Sequence, residues 1–297
     1  FHAGVLARLA ATTGWDARRA DLVIGTSAGA ITGAALRAGV SPADRAAHFR
    51  GEPMSAEAEE IGARIKTGYE EPELDREWRP MSPGMSWRAA WPPWRLDPLR
   101  VLTGILPRGN RSGESLEIRI NELIARHWPS DPTWVVAVRT SDGRRVVFGR
   151  DDIRGDIGQA VRASAAVPGV YVPTRVGQRE YVDGGLHSST NADLAAPLGY
   201  DLVLVSSAMT ATPEARGWTQ DPTRAWFGRK LDAEVAEIQR RGTPVIVFEP
   251  DAEAVGGLSK HPDDARSRAL WAGESTVDRV LRNHQGDAVR ELLARAP

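Results

Sequence analysis

Two short glycine-containing motifs carry the side chains that could do chemistry in this sequence. The first is Gly25-Thr26-Ser27-Ala28-Gly29, which follows the apolar run 21–24 and precedes a helical pattern at 30–36. A serine on such a tight strand-to-helix turn presents its hydroxyl to solvent, and the first helical amides, that of Ala28 above all, face an oxyanion formed beside it. The motif predicts a nucleophilic serine, and a serine that merely caps the helix is the alternative.

The second motif is Asp183-Gly184-Gly185, which follows the extended run 180–182. Asp-Gly-Gly is a common turn, so a purely structural role is the alternative interpretation. If the run is a strand of a parallel sheet, its carboxyl end lies at the same edge as Ser27, because ligand sites gather at the carboxyl ends of such strands. The two glycines would let the backbone pass close to the nucleophile. Asp183 is therefore the candidate base.

The elements that must position these motifs alternate between helices and short apolar strands. This alternation predicts an α/β fold with a mostly parallel central sheet and helices on both faces. Asp142-Gly143 predicts the turn of a hairpin between two of the strands. The predicted helices lie at 1–15, 30–36, 55–67, 113–127 and 157–166 and in the last 35 residues or so, and the predicted strands at 21–24, 134–138, 145–148, 180–182, 201–206 and 244–249.

Residues 51–111 differ from the rest, since they are rich in Pro, Glu, Arg and Trp and show weak periodicity. We interpret them as a cap inserted into a single domain that spans 1–297, and the prolines argue against a continuous helix. The four tryptophans of this segment, Trp78, Trp87, Trp91 and Trp94, could line an acyl channel or enter a membrane interface, and Trp87, Trp91 and Trp94 are the candidate substrate-facing residues. Packing within an irregular cap is the alternative, and it is favoured for most of the four.

Composition excludes several classes of function. The net charge is −1 without a basic stripe, which argues against a nucleic-acid partner, and the chain has no cysteine. No spacing of histidines and carboxylates suggests a metal site, so we expect neither a metal nor another cofactor. No apolar run reaches 18 residues, which argues against a transmembrane helix. A cytoplasmic protein, with peripheral membrane contact as an option, is the expectation.

Four segments, in this order, resemble patatin-like lipid acyl hydrolases: 25–30 (the nucleophile elbow), 161–169, 181–186 and the polar turn 191–193. The resemblance implies a three-layer α/β/α fold and a Ser–Asp dyad without histidine. Ser27 would form an acyl-enzyme on a phospholipid-like ester, with Asp183 accepting its proton. It also implies a first strand and a glycine-rich oxyanion loop upstream of Phe1, which we expect the natural protein to carry.

Three alternatives remain open at this point. A Ser-His-Asp triad would recruit His187, His261 or His284, although only about two dozen residues precede Ser27, too few for the strands that come before the elbow in that fold. A carboxylesterase or thioesterase would act on shorter acyl chains. Without the oxyanion loop, the chain could instead be a lipid-binding pseudoenzyme.

Overall fold

The computed structural model describes residues 1–66, 69–72, 74–75, 78, 80–91, 98–125, 127–217, 222–259, 265–282, 291 and 293. They belong to two compact units. The motif unit, which contains both glycine-containing motifs, comprises Asp21–Ala38 and Glu60–His187. The terminal unit comprises Phe1–Ala20, Gly39–Glu59 and Ser188–Pro297. The single domain predicted over 1–297, with its insertion at 51–111, stays a prediction.

Helices and short strands alternate along both units, which confirms the α/β class. The helices are α1 (His2–Thr13), α2 (Ala28–Arg37), α3 (Pro42–Arg50), α4 (Ala56–Gly62), α5 (Pro83–Ala90), α6 (Pro98–Ile105), α7 (Glu114–Leu123), α8 (Ile157–Ser164), α9 (Pro213–Arg216), α10 (Pro222–Arg240), α11 (Ala252–Ser259) and α12 (Ala265–Arg282). The strands are β1 (Val23–Thr26), β2 (Thr133–Arg139), β3 (Arg145–Phe148), β4 (Thr174–Val176), β5 (Arg179–Asp183), β6 (Val203–Ser206) and β7 (Val245–Phe248).

The sheet of the motif unit is built around β2. Strand β1 pairs with it in parallel, whereas β3 and β5 pair with it antiparallel, and β4 is antiparallel to β5. The predicted hairpin is confirmed as β2–β3, and Gly143 in its loop has a φ of 67°. The expectation that Asp183 ends a parallel strand is wrong, because β5 runs against its neighbour β2.

Both faces of this sheet are covered within the motif unit. Val135 and Ala137 of β2 pack against apolar residues of α2, α7 and α8. Val138, on the opposite face, packs against Met81 and Met85 of the cap segment. This alternation follows from the period of two along a strand, and it places the cap segment directly on the sheet.

The cap segment contains two helices that periodicity did not predict. Its prolines do exclude a continuous helix, but Pro83 begins α5, where the missing N–H is harmless. The Ser82 hydroxyl caps the helix by accepting a hydrogen bond from the Met85 amide at 3.3 Å. The prolines therefore divide the cap segment into short helices and do not leave it irregular.

The terminal unit has its own pair of parallel strands, β6 and β7. Leu231 and Ile238 of α10 pack in one cluster with β6. A second cluster joins Phe248 of β7 to Val5 of α1 and Val277 of α12. The predicted helices at the two ends of the chain thus share one core.

Candidate active site

Ser27 lies at a sharp bend between β1 and α2. Its φ of 53° and ψ of −120° are strained for a residue with a side chain, and such strain persists only where the surrounding structure enforces it. Gly25 makes the bend possible, since a Cβ there would lie 2.5 Å from the Cα of Ala30. Ser27 occupies the N-cap position of α2, yet its side chain makes no capping hydrogen bond. The helix-capping alternative is therefore wrong.

The register of the sheet brings the two motifs together. Thr26 of β1 pairs with Val136, and Asp183 of β5 pairs with the next residue, Ala137. Because β3 occupies the other edge of β2 at these positions, β1 and β5 lie end to end along one edge and run towards each other. Ser27 and Asp183 are thus neighbours because two strands meet head to head, not because parallel strands end side by side.

The Asp183 side chain is buried, with 6% of the residue exposed. One carboxylate oxygen, Oδ1, accepts a hydrogen bond from the Gly185 amide at 2.7 Å, and the carboxylate also accepts one from the Ser27 hydroxyl. Burial raises the pKa of Asp183 to about 6, against the opposing effect of these two hydrogen bonds. The Asp183 carboxylate therefore both stabilises the turn, through the Gly185 amide, and contacts Ser27.

The chain leaves Asp183 close against β2. A Cβ at Gly184 would lie 2.4 Å from the Val136 carbonyl oxygen and 3.1 Å from Cγ2 of Thr26. Only a glycine fits this approach without moving the backbone. Gly184 therefore allows the chain to pass close to the elbow, as expected of the glycine pair. Gly185 supplies the amide that holds the Asp183 carboxylate.

One helix end holds both motifs. The buried Ser164 hydroxyl, in the last turn of α8, accepts a hydrogen bond from the Ser27 amide at 2.9 Å and donates one to the Val136 carbonyl at 2.6 Å. Two residues later, the Ala166 carbonyl accepts a hydrogen bond from the Asp183 amide at 3.0 Å. Sequence reasoning missed Ser164, although a serine within an apolar helix face signals a buried hydroxyl that needs partners.

The first amides of α2 open onto space beside Ser27. The bonds to the Ser27 carbonyl begin with the amides of Ala30 and Ile31, which leaves those of Ala28 and Gly29 available to a ligand. Ala28 is exposed, and a Cβ at Gly29 would meet nothing within 4 Å. Unlike Gly25, Gly29 is not required by packing within the protein.

The tryptophans of the cap do not pack as expected. Trp87 is 72% exposed and Trp91 65%, and Trp78 is exposed as well. The packing interpretation is therefore wrong for these three. Helix α5 turns Met85 inward and leaves Trp87 outside, while Trp78 precedes the helix and Trp91 directly follows it. Trp94 lies outside the described residues.

The histidines nominated for a triad are placed differently. His187 follows the short 3-10 helix Gly184–Leu186, and its Nδ1 accepts a hydrogen bond from the Arg100 guanidinium of α6 at 2.5 Å. His261 and His284 lie outside the described residues. No group of three or more His, Asp or Glu side chains within the described ranges is arranged to hold a metal ion.

A family model described as patatin-like phospholipase matches residues 1–196. The match covers about two thirds of the 297 residues and includes the elbow, the end of α8 and the Asp183 motif. The family consists of hydrolases that act on lipid esters. On this match, the chain belongs to the patatin-like phospholipase family and is a lipid acyl hydrolase.

Proposed function

We propose that the chain hydrolyses carboxylic ester bonds of phospholipids or lysophospholipids through a Ser27–Asp183 dyad. The observation that carries this proposal is the strained Ser27, whose hydroxyl points to a buried carboxylate instead of capping α2. Strain of this kind at a partly exposed serine is typical of nucleophile elbows.

The reaction proceeds in two steps. The Ser27 Oγ attacks the ester carbonyl while Asp183 accepts its proton, and the leaving alcohol then takes that proton as the acyl-enzyme forms. Water attacks the acyl-enzyme in the second step, gives its proton to Asp183, and releases the fatty acid when the proton returns to Ser27. Asp183 must be ionised to begin the cycle, and burial makes it a stronger base than a solvated aspartate.

Charge on the carbonyl oxygen is stabilised by the start of α2. The amides of Ala28 and Gly29 lie next to Ser27, and the positive end of the helix dipole favours an anion there. Because Gly29 faces open space, an acyl group can approach these amides without meeting a side chain.

The test is hydrolysis of a p-nitrophenyl ester series and of phosphatidylcholine by the parent chain, Ser27→Ala and Asp183→Asn. Ser275→Ala in α12 and the exposed Asp201→Asn serve as matched controls for the two residue types. We expect both dyad variants to lose about 10³-fold or more in rate, as nucleophile and base variants of hydrolases do. The control variants should keep the parent rate.

Three outcomes would replace this proposal. Near-normal activity of Asp183→Asn, together with loss in His261→Ala, would favour a triad. Activity confined to short acyl chains would indicate a carboxylesterase or thioesterase. A parent chain that binds lipid but hydrolyses no ester would be a lipid-binding pseudoenzyme.

A further inference from the structure

Helix α5 has apolar side chains on two of its faces. Met85 is fully buried and packs against Val138 and Val182 of the sheet. Trp87 lies on another side of the helix and is 72% exposed, and Trp91, the extended residue that directly follows α5, is 65% exposed. An ordinary surface helix presents polar residues to water, so two exposed tryptophans in and directly after α5 call for another partner.

Helix α6 enlarges this exposed area. It is joined to α5 by a hydrogen bond from the Ser86 hydroxyl to the Val101 carbonyl at 2.8 Å. Leu102 and Ile105, three residues apart on α6, are 53% and 57% exposed. We call Trp87, Trp91, Leu102 and Ile105 the apolar cap surface. Groups of exposed apolar side chains of this kind mark sites of interaction, whereas single ones do not.

The apolar cap surface is linked to the candidate active site by a short path. The Arg111 amide, shortly after α6, donates a hydrogen bond to the Val170 carbonyl at 3.2 Å. Val170 and Val167 are both exposed, and Val167 directly follows Ala166, whose carbonyl holds the Asp183 amide. Two exposed apolar residues, Val167 and Val170, therefore lie between the end of the cap segment and Ala166, whose carbonyl holds the Asp183 amide.

The charge of the same stretch is strongly one-sided. Residues 80–113 contain five arginines and a single acidic residue, Asp97, and one of the arginines, Arg108, is paired with Glu180, which leaves a charge of +3 in a chain whose net charge is −1. Arg88 and Arg111 are exposed and form no ion pair with any described residue. Tryptophan beside arginine is the combination found where proteins meet the headgroups of a bilayer, and basic residues favour anionic lipid.

We infer that the apolar cap surface docks onto a bilayer that contains anionic phospholipid, with Trp87 and Trp91 at headgroup depth and Arg88 and Arg111 on lipid phosphates. The attachment is peripheral, since no helix in the described part of the chain is long and apolar enough to cross a membrane. A second copy of the chain fits less well, because a two-fold contact would place this basic stretch against itself. The inference rests on the proposed function only in taking membrane lipid as the substrate.

The binding test is carried out in the Ser27→Ala variant, which serves as the parent protein here, so that no lipid is hydrolysed while binding is measured. Flotation with phosphatidylcholine vesicles, with and without phosphatidylglycerol, measures the bound fraction. We expect binding that increases with phosphatidylglycerol, and a partition coefficient about tenfold lower for Trp87→Ala/Trp91→Ala. Leu102→Ser/Ile105→Ser should weaken binding independently. Arg88→Gln/Arg111→Gln should reduce the preference for anionic vesicles and its dependence on salt.

Trp271→Ala is the matched control, since Trp271 is a partly exposed tryptophan of α12 in the terminal unit, and its removal should leave binding unchanged. The inference is overturned if the parent binds neither vesicle, or if the tryptophan double variant binds as well as the parent. It is also overturned if the parent is a dimer that these substitutions convert to a monomer.

Hydrolysis of a soluble ester by the chain that retains Ser27 distinguishes this inference from the proposed function. Hydrolysis without vesicle binding removes only this inference, whereas vesicle binding without hydrolysis removes only the proposed function.

Discussion

The elbow and the cap helices α5 and α6, all in the motif unit, differ in how their side chains are arranged. Around Ser27 the groups are buried or held by hydrogen bonds: Ser164 fixes its amide, and the Asp183 carboxylate is almost inaccessible to water. On α5 and α6 the largest apolar side chains face outwards, Trp87 among them. The proposed chemistry therefore depends on a buried, hydrogen-bonded interior, whereas the proposed membrane contact depends on apolar side chains that the structure leaves exposed.

Among substitutions that add a single methyl group, we expect one at the elbow, Gly25→Ala, to destabilise the protein most. Gly25→Ala places a Cβ 2.5 Å from the Ala30 Cα and should cost about 3 kcal/mol or more in the free energy of unfolding, because backbone must move. Denaturant unfolding measures this loss, and ester hydrolysis should disappear with it. Gly29→Ala is the control. Its free energy of unfolding should equal that of the parent, but hydrolysis should be slower, because the added methyl group enters the space proposed for the substrate. An unchanged unfolding midpoint for Gly25→Ala would contradict the tight elbow.

The next effect concerns the hydroxyl that supports the elbow. Ser164→Ala leaves the Ser27 amide and the Val136 carbonyl without their partner, which should cost about 2 kcal/mol of stability and also reduce kcat. Denaturant unfolding and ester hydrolysis of the same samples measure the two losses. Ser275→Ala, which removes a hydroxyl bonded only to the Ala272 carbonyl of its own helix, should be nearly neutral. Equal behaviour of the two variants would show that Ser164 does not hold the site.

The pH dependence of hydrolysis should report Asp183. Since its pKa is raised to about 6, kcat/KM for a soluble ester should be level above that pH and fall about tenfold per pH unit below it. Such a profile follows from the need for an ionised base. If kcat/KM instead falls only near pH 4, the essential base has the pKa of a solvated carboxyl group and is not the buried Asp183.

The same pKa makes a prediction about stability. Folding raises the pKa of Asp183 from 3.8, so the folded state holds this proton more tightly, and stability is lost as pH rises from about 4 to about 6. Asp183→Asn should therefore raise Tm relative to the parent at pH 8, by more than it does at pH 4. Asp201→Asn should show no such difference, and equal Tm shifts at both values would contradict the burial cost.

The smallest effect is expected on the outer side of the cap. Trp87→Ala should change the free energy of unfolding by less than about 0.5 kcal/mol, because the indole is mostly in water. Met85→Ala, two residues earlier but fully buried, should cost about 2 to 5 kcal/mol. Denaturant unfolding of the pair tests the comparison directly. A large loss for Trp87→Ala would mean that this tryptophan packs against the protein after all.

Local signals were enough to place much of this fold. The helix that ends at Gly14, the β2–β3 hairpin and the helix before Val167 follow from periodicity and turn residues. The turn at Ser27 also follows from local chemistry, since a strand, small residues and a helix succeed one another within 20 positions.

What could not be predicted depends on partners far away in the chain. The direction of β5 is set by its pairing with β2, which is more than 40 residues earlier. Ser164 meets the Ser27 amide across a separation of 137 residues, which no local pattern records. In the cap, prolines that interrupt periodicity also start α5, so the reasoning that excluded a long helix overlooked the short ones.

The end of α8 has a consequence for how this enzyme can change. Ser164 and Ala166 hold the amides of Ser27 and Asp183, so one short peptide sets the spacing between the proposed nucleophile and the proposed base. Strand β2 belongs to the same arrangement, because its Val136 carbonyl accepts a hydrogen bond from the Ser164 hydroxyl, whereas α5 of the cap packs on the opposite face of the sheet from α8. The connections within the cap can therefore lengthen, shorten or be exchanged while the spacing between Ser27 and Asp183 stays the same.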